Sequence, residues 1–325
     1  MPLSALKLDQ FEDHFTRIDE ALNAVFTSRV PLVEEIGAYA LLGGGKRLRP
    51  LIFVLCCEMS HYEGADRYEL STIFEYIHAA SLLHDDVLDN ADTRRKRPST
   101  NQVWGNQGAV LEGDFLYATA LSIAVRANSI PFLTKLTDTT VQMTEGQILE
   151  LTHMNNWDLT KAQYLEIITA KTARLISAAC ACGGIIAGAP PHIESALTRF
   201  GLDIGIAFQL IDDLLDYTSS EAEFGKPVGK DLEEGKITLP LIYTLSELAP
   251  GDIKRLRDRC EDQQTENAGV AEMIHLVKKG PAIDRTWEEA SSYAARAVKY
   301  LDIFPDSPLK TNLQKLGRYV IERRY

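Results

Sequence analysis

Apolar residues recur every three or four positions along most of this 325-residue chain, the period of amphipathic helices. Leu8, Phe11, Phe15, Ile18, Leu22 and Val25 step through a first helix. Pro31 opens a second, which stops at Gly43-Gly44-Gly45. Residues 51–59 form an apolar run read as a buried helix, and residues 69–88 a longer one. After a polar stretch punctuated by Pro98 and Gly105, helical patterning continues through 109–127, 132–151, 160–188 and 193–216. Beyond a Gly- and Lys-rich loop it resumes from Leu239-Pro240, through 253–279, 283–301 and 308–323. No segment alternates with period two between turn signals, so no sheet is expected. The pattern predicts an all-α protein: one large helical bundle, a single domain over residues 1–325, around a central apolar cavity.

Two places break the apolar rule in the same way. The run that begins near Ile73 ends in SLLHDDVLDNADTRR, with Asp85, Asp86 and Asp89 set among Leu82, Leu83 and Leu88. On a helix Asp85 and Asp89 share one face. Side-by-side carboxylates against apolar neighbours are unfavourable unless a cation neutralises them. Hard oxygen ligands of this kind suit Mg²⁺, which binds through one or two carboxylates plus substrate phosphates. Arg94, Arg95, Lys96 and Arg97 follow, cations suited to phosphate oxygens. The spacing returns as Asp212, Asp213 and Asp216 in FQLIDDLLDY, again inside an apolar run. A solvated helix face would explain one such motif; two in apolar surroundings point to metal plus diphosphate.

Composition narrows the field. With 45% hydrophobic and 25% charged residues the chain is an ordinary globular protein, and its formal net charge of −12 argues against a nucleic-acid partner. No apolar run reaches the roughly twenty residues of a membrane span. The N-terminus has neither a signal-peptide nor a transit-peptide pattern. Cys56, Cys57, Cys180, Cys182 and Cys260 lack metal-ligand spacing and read as reduced thiols, which suggests the cytoplasm.

A basic cluster, GGGKRLRP at 43–50, adds Lys46, Arg47 and Arg49, without the spacing of a P-loop. A helix stop followed by a solvated basic turn explains it equally well. His78 lies two helical turns before Asp85, and His84 stands beside the carboxylates. A lone histidine on an apolar helix is more often a satisfied core residue than a ligand contact.

GGGKRLRP, EYIHAASLLHDDVLD with its following arginines, WGNQGAVLEGDFL, AKTARL, FQLIDDLLDY and GKPVGKDLEEGKITLP occur in this order over residues 40–245. Together they resemble the trans-isoprenyl diphosphate synthases, or polyprenyl synthetases. The resemblance implies a prenyltransferase that condenses isopentenyl diphosphate with an allylic diphosphate, using three Mg²⁺ ions per site, and a homodimer. Asp85 and Asp89 would hold two ions, and Asp212 the third, with Asp216 supporting through water. Asp86 and Asp213 would stand behind them. Arg94 and Lys171 would contact the allylic diphosphate, with Thr172, Gln209, Lys226 and Lys236 nearby. Lys46, Arg49, His78 and Arg95 would form the isopentenyl diphosphate pocket. No side chain need act as base, because the released diphosphate can take the proton.

In that family residues just before the first motif set product length. Here they are Ala80 and Ser81, both small, which suggests a medium- or long-chain product of octaprenyl type. A floor deeper down, from Ile77, Ile73, Phe115 or Met143, would close the tunnel sooner. Two positions depart from the family pattern. Lys96 stands where glycine is common, and Gln147 and Glu150 in GQILEL resemble short-chain members. The alternatives are a short-chain synthase, a class I terpene cyclase or head-to-head synthase, which lacks an isopentenyl site, and a non-catalytic subunit of a heteromeric synthase.

Overall fold

The computed structural model describes residues 8–25, 27–42, 45–219, 228–262 and 266–322. Helices α1 (Glu12–Val25), α2 (Pro31–Leu42), α3 (Leu48–Met59) and α4 (Arg67–Leu88) lead to a small hairpin of β1 (Thr93–Arg94) and β2 (Arg97–Pro98). Then come α5 (Thr100–Arg126), α6 (Ile130–Thr152) and α7 (Lys161–Ile168). A π-helical turn, Thr169–Ala173, joins α7 to α8 (Arg174–Ile186), and α9 (Pro191–Thr218) follows. The chain continues through α10 (Lys230–Glu233), α11 (Leu239–Leu245), α12 (Pro250–Glu261) and α13 (Glu266–Lys279) to α14 (Ala282–Tyr300) and α15 (Pro308–Glu322). The expected all-α class holds.

Burial explains which helices sit inside. Every residue from Leu70 to Ile77 on α4 is buried, as is every residue from Pro50 to Cys57 on α3 and from Leu175 to Gly184 on α8. A helix buried on all sides loses its apolar stripe and reads as a continuous apolar run. Amphipathic α1, α14 and α15 wrap these inner helices. Phe53, Phe74 and Phe132 stack in the first apolar cluster, at ring distances of 5.2 and 6.2 Å. A second cluster gathers Ile211, Leu215, Tyr217, Leu239 and Met273, and Tyr293 and Ile321 pack against both. All five cysteines are free thiols.

Several boundaries differ from the sequence reading. The stretch 94–106 is not a plain loop: Thr93 pairs with Pro98 and Arg94 with Arg97, and α5 begins at Thr100. Helical geometry breaks inside α5 at Gly105 (φ 77°), a backbone shape that suits glycine. By length and composition alone this helix is apolar enough to cross a membrane, although Glu112 and Asp114 interrupt its apolar run. In the fold it lies along α4 and buries Ala109, Leu116, Ala120 and Ile123. The helix expected over 160–188 is divided by the π turn, and that over 253–279 is two helices packed on each other.

Candidate active site

A cavity of about 1110 Å³ runs between α4, α5, α6, the π turn and α9, and both aspartate motifs face it. Each motif closes a helix: Asp89 caps α4, and Asp216 stands two residues before the end of α9. Carboxylates at a helix C-terminus meet the negative end of its dipole, so both motifs are unfavourable without cations.

At the first motif the cations are present. Lys171 Nζ lies 2.5 Å from Glu150 and 3.9 Å from Asp85. Lys236 Nζ lies 3.0 Å from Asp89 and 2.7 Å from Glu234. Burial pushes the Asp85 carboxyl above its usual range; Asp89 and Glu150 add to this and the two lysines oppose it. Burial alone would lower Lys236, but Glu150, Glu234 and Asp89 outweigh it and hold the ammonium firmly charged. Asp86 is buried behind the motif and binds Arg94, with Nη2 at 2.5 Å and Nε at 2.7 Å.

At the second motif the middle carboxylate has neutral partners. Asp213, 3% exposed, accepts hydrogen bonds from the Tyr164 hydroxyl and from Gln209 Nε2 at 2.7 Å. Gln209 in turn accepts from Thr172 at 2.9 Å. Burial, then nearby Asp231, raises the Asp213 carboxyl well above its ordinary value. The Asp231 backbone N–H reaches Asp216 at 3.4 Å from the first turn of α10.

The π turn sets Lys171 and Thr172 between these two groups. It is gripped by two glycines: a Cβ on Gly146 would lie 2.6 Å from the Lys171 nitrogen, and one on Gly205 would lie 2.5 Å from Ala173 Cα. A π turn inside a helix is a frequent feature of functional sites. The loop bearing Lys236 is fixed by the Asn155 N–H, which donates to Gly235 at 2.8 Å. Gly235 (φ 78°) leaves no room for a side chain there.

Arg49, His78, Arg94, Arg95 and Lys96 line one side of the cavity. Burial, reinforced by Arg49 and Arg95, holds His78 well below the usual imidazole range, so it is neutral. The hairpin turn that carries Arg95 (φ 53°) and Lys96 (φ 63°) has two left-handed residues. This is the signature of a two-residue type I′ turn, for which glycine is favoured. Its absence at Lys96 leaves the turn strained by about 1 kcal/mol or more.

The structure thus gathers Asp85, Asp89, Asp212, Asp216, Arg94, Lys171, Thr172, Gln209, Arg49, His78 and Arg95 around one space, with Ala80 and Ser81 on its wall. Lys236 reaches it through Asp89. Lys46 does not line it: the residue borders a small adjoining pocket with Phe208 and Tyr319. Lys226, Gly43 and Gly44 lie outside the described residues. Arg47, counted by sequence with the basic cluster, is a core anchor bonded to Glu75 at 2.7 Å, Asp19 at 3.0 Å and the Leu41 carbonyl. Of the four floor candidates, Ile77 and Met143 line the cavity, whereas Ile73 belongs to the closed core and Phe115 is not among the lining side chains. His84 lies against the Val110 carbonyl and Asp114.

Sequence reading missed Glu150, Asp231 and Tyr164 as members of the site. Glu150 had a signal, since a lysine beside carboxylates needs an anchor of its own. Asp231 had one in its place among lysines. Tyr164, two turns before Lys171, had none. Among the described residues no three His, Cys, Asp or Glu groups form a ready-made metal cage. Mg²⁺ fits this arrangement, because it takes one or two carboxylates and completes its shell with water and substrate phosphate. Lysine ammonium groups already stand among the same carboxylates, so positive charge is accommodated there.

The octaprenyl diphosphate synthase of Escherichia coli is 36% identical over 306 residues, 94% of each chain. A polyprenyl synthase from Caulobacter crescentus, solved with calcium and isoprenyl diphosphate, superposes with a TM-score of 0.92 at 33% identity, covering 98% of this chain and 97% of that one. A decaprenyl diphosphate synthase from Rhodobacter capsulatus gives 0.90 at 33%, covering 98% of both. The profile of the polyprenyl synthetase family matches residues 30–277, which include both aspartate motifs and the cations between them, and the chain belongs to that family.

Proposed function

We propose that this chain condenses isopentenyl diphosphate with an allylic diphosphate, geranyl or farnesyl, to a longer all-trans polyprenyl diphosphate. One observation carries the reading: two aspartate motifs, with lysines and arginines between them, open onto one large cavity that continues down an apolar wall. Asp85 and Asp89 would hold two Mg²⁺ ions, and Asp212 with Asp216 a third. Bound there, the metal would neutralise diphosphate charge. Arg94, Lys171 and Lys236 take the allylic diphosphate and stabilise the charge that builds on it as its C–O bond ionises. Thr172 and Gln209 orient the Lys171 side, and Lys226 is assigned to the same subsite from its motif alone.

Arg49, Arg95 and neutral His78 hold isopentenyl diphosphate beside the cation, and Lys46 approaches from the adjoining pocket. The apolar wall keeps water from the allylic cation. The isopentenyl double bond attacks it, and the departing proton goes to the released diphosphate. At about 1110 Å³ the cavity exceeds the common range for small-ligand sites, roughly 300–1,000 Å³. That favours a medium- or long-chain product, which grows past Ala80 and Ser81 toward Ile77.

Residues 1–325 act as one synthase domain in this reading, supported by relatives that match over nearly the whole chain. We place the enzyme in the cytoplasm, in keeping with its free thiols. A homodimer is supported by exposed apolar residues on α5 and α6 outside the cavity lining: Val103, Val110, Leu111 and Val141.

Purified protein incubated with labelled isopentenyl diphosphate, Mg²⁺ and geranyl or farnesyl diphosphate should yield a product longer than geranylgeranyl diphosphate, abolished by EDTA. A product that stops at farnesyl or geranylgeranyl diphosphate would make this a short-chain synthase. No condensation with either primer would leave the non-catalytic subunit.

A further inference from the structure

Arg95 reaches the cavity from the tip of a hairpin with two paired residues per strand. Both turn residues adopt left-handed conformations without glycine. A hairpin this short does not hold its own shape in water, and a strained turn persists only where its surroundings fix it. Three anchors are visible. Asp86 grips Arg94 on β1. Ser99 closes the base: its N–H donates to the Asp92 carbonyl at 3.0 Å and its hydroxyl to the Ala91 carbonyl at 2.5 Å.

The third anchor is Tyr39 on α2, which acts on β2. Its hydroxyl donates to the Pro98 carbonyl at 2.7 Å, and its ring lies 3.9 Å beneath the Arg97 guanidinium. The edge of Trp104 packs on the same ring at 4.9 Å, just before the break at Gly105. Tyr39 is not among the residues lining the substrate cavity; it borders a separate cavity of about 50 Å³ beneath the hairpin.

We propose that Tyr39 is a positioning residue for the isopentenyl diphosphate subsite, clamping β2 so that the strained turn presents Arg95 to the cavity. This rests on the assignment of Arg95 to isopentenyl diphosphate. Arg94 has its own anchor in Asp86, so loosening Tyr39 affects one substrate more than the other.

The full chain is tested as Tyr39→Phe, which keeps the ring and loses the bond to Pro98, and as Tyr39→Leu, which loses both. Each is made with Lys96 intact and with Lys96→Gly, which relieves the turn. Isopentenyl diphosphate is varied at saturating farnesyl diphosphate, then the reverse, with melting temperatures recorded. The KM for isopentenyl diphosphate should rise about threefold in Tyr39→Phe and about tenfold in Tyr39→Leu, the scale of one lost hydrogen bond and of a bond plus a cation–π contact. The KM for farnesyl diphosphate should stay within about twofold. In the Lys96→Gly background the penalty of Tyr39→Leu should fall to about threefold or less, since neighbouring sites that share a strain do not add.

Equal rises in both KM values, an isopentenyl KM within about twofold of wild type in Tyr39→Leu, or an undiminished penalty with Lys96→Gly would each overturn the assignment. If Tyr39→Leu does not fold, the KM of Tyr39→Phe decides. Wild-type protein that binds no isopentenyl diphosphate would instead remove the functional reading, and this inference with it.

Discussion

At the first aspartate motif, Asp85 and Asp89 face two lysines, while Asp86 turns back to bind a guanidinium. At the second, Asp213 turns back onto a phenol and an amide. The two share a spacing and a place at a helix end, and differ in what stands behind the middle aspartate. At the first, that carboxylate fixes a cation that the reading assigns to the allylic diphosphate. At the second it ties α9 to α7 and, through Gln209 and Thr172, to the π turn. The middle aspartate of the first motif anchors a charge, and that of the second anchors helix packing. They differ again one turn earlier on their helices: Ala80 and Ser81 precede Asp85, and Phe208 precedes Asp212, all on the cavity wall. Small side chains line the wall on α4 and an aromatic ring lines it on α9.

The sharpest test of what the motifs share is removal of a facing carboxylate. Asp85→Ala and Asp212→Ala should each lower kcat by about three orders of magnitude at saturating Mg²⁺, on the order of 4 kcal/mol. Turnover within about tenfold of wild type in either would break the pairing of the two motifs.

Next comes the difference between the middle residues. Asp86→Asn removes the charge that holds Arg94 and should reduce kcat/KM for the allylic substrate about 10- to 100-fold. Asp213→Asn can still accept from Tyr164 and should cost less than about tenfold. The opposite order, measured by steady-state kinetics, would mean that the middle aspartate of the second motif is the one that anchors a charge.

Product length probes the two walls. Ala80→Phe should shorten the product while leaving the first condensation intact, and Phe208→Ala should not shorten it. Chromatography of the products reads both, and an unchanged length in Ala80→Phe would put the floor elsewhere.

The smallest effect on catalysis is expected at Glu112 on α5, which packs along the helix bearing the first motif. Burial lifts this carboxyl from 4.5 to about 7, and Oε1 has no hydrogen-bond partner among the described residues. Its folded value lies above its unfolded one, so folding carries no penalty below about pH 4.5. The penalty grows as pH rises toward 7 and is complete above it, at most about 3 kcal/mol. Glu112→Gln should therefore raise the melting temperature by a few degrees at pH 8 and by little at pH 5, with kcat near wild type. An equal gain at both pH values would show that charge is not the cause.

Much of this was legible in the chain itself. Helical period gave the all-α class, and repeated carboxylates in apolar runs marked out two motifs that the fold brings to one cavity. Boundaries were less legible where packing overrides local pattern. The π turn at Lys171 leaves the 3.6-residue period almost undisturbed, so 160–188 reads as one helix. The hairpin at 93–98 is too short to alternate visibly. By residue type and position alone Arg47 and Arg49 are indistinguishable, and only the family resemblance separated the cavity-lining Arg49 from the buried anchor Arg47.

What the sequence determined by itself, then, is residue chemistry at fixed spacing: which side chains can carry charge, which share a helix face, and which helices must be buried. Local covalent geometry and hydrophobic burial suffice for that. Only the tertiary structure decided which partner each charge meets, because ion pairs such as Lys236 with Asp89 join residues far apart in the chain. It also decided that Asp86 holds an arginine while Asp213 holds a tyrosine, a choice made by the hairpin and the helix packed against each motif and not by the motif.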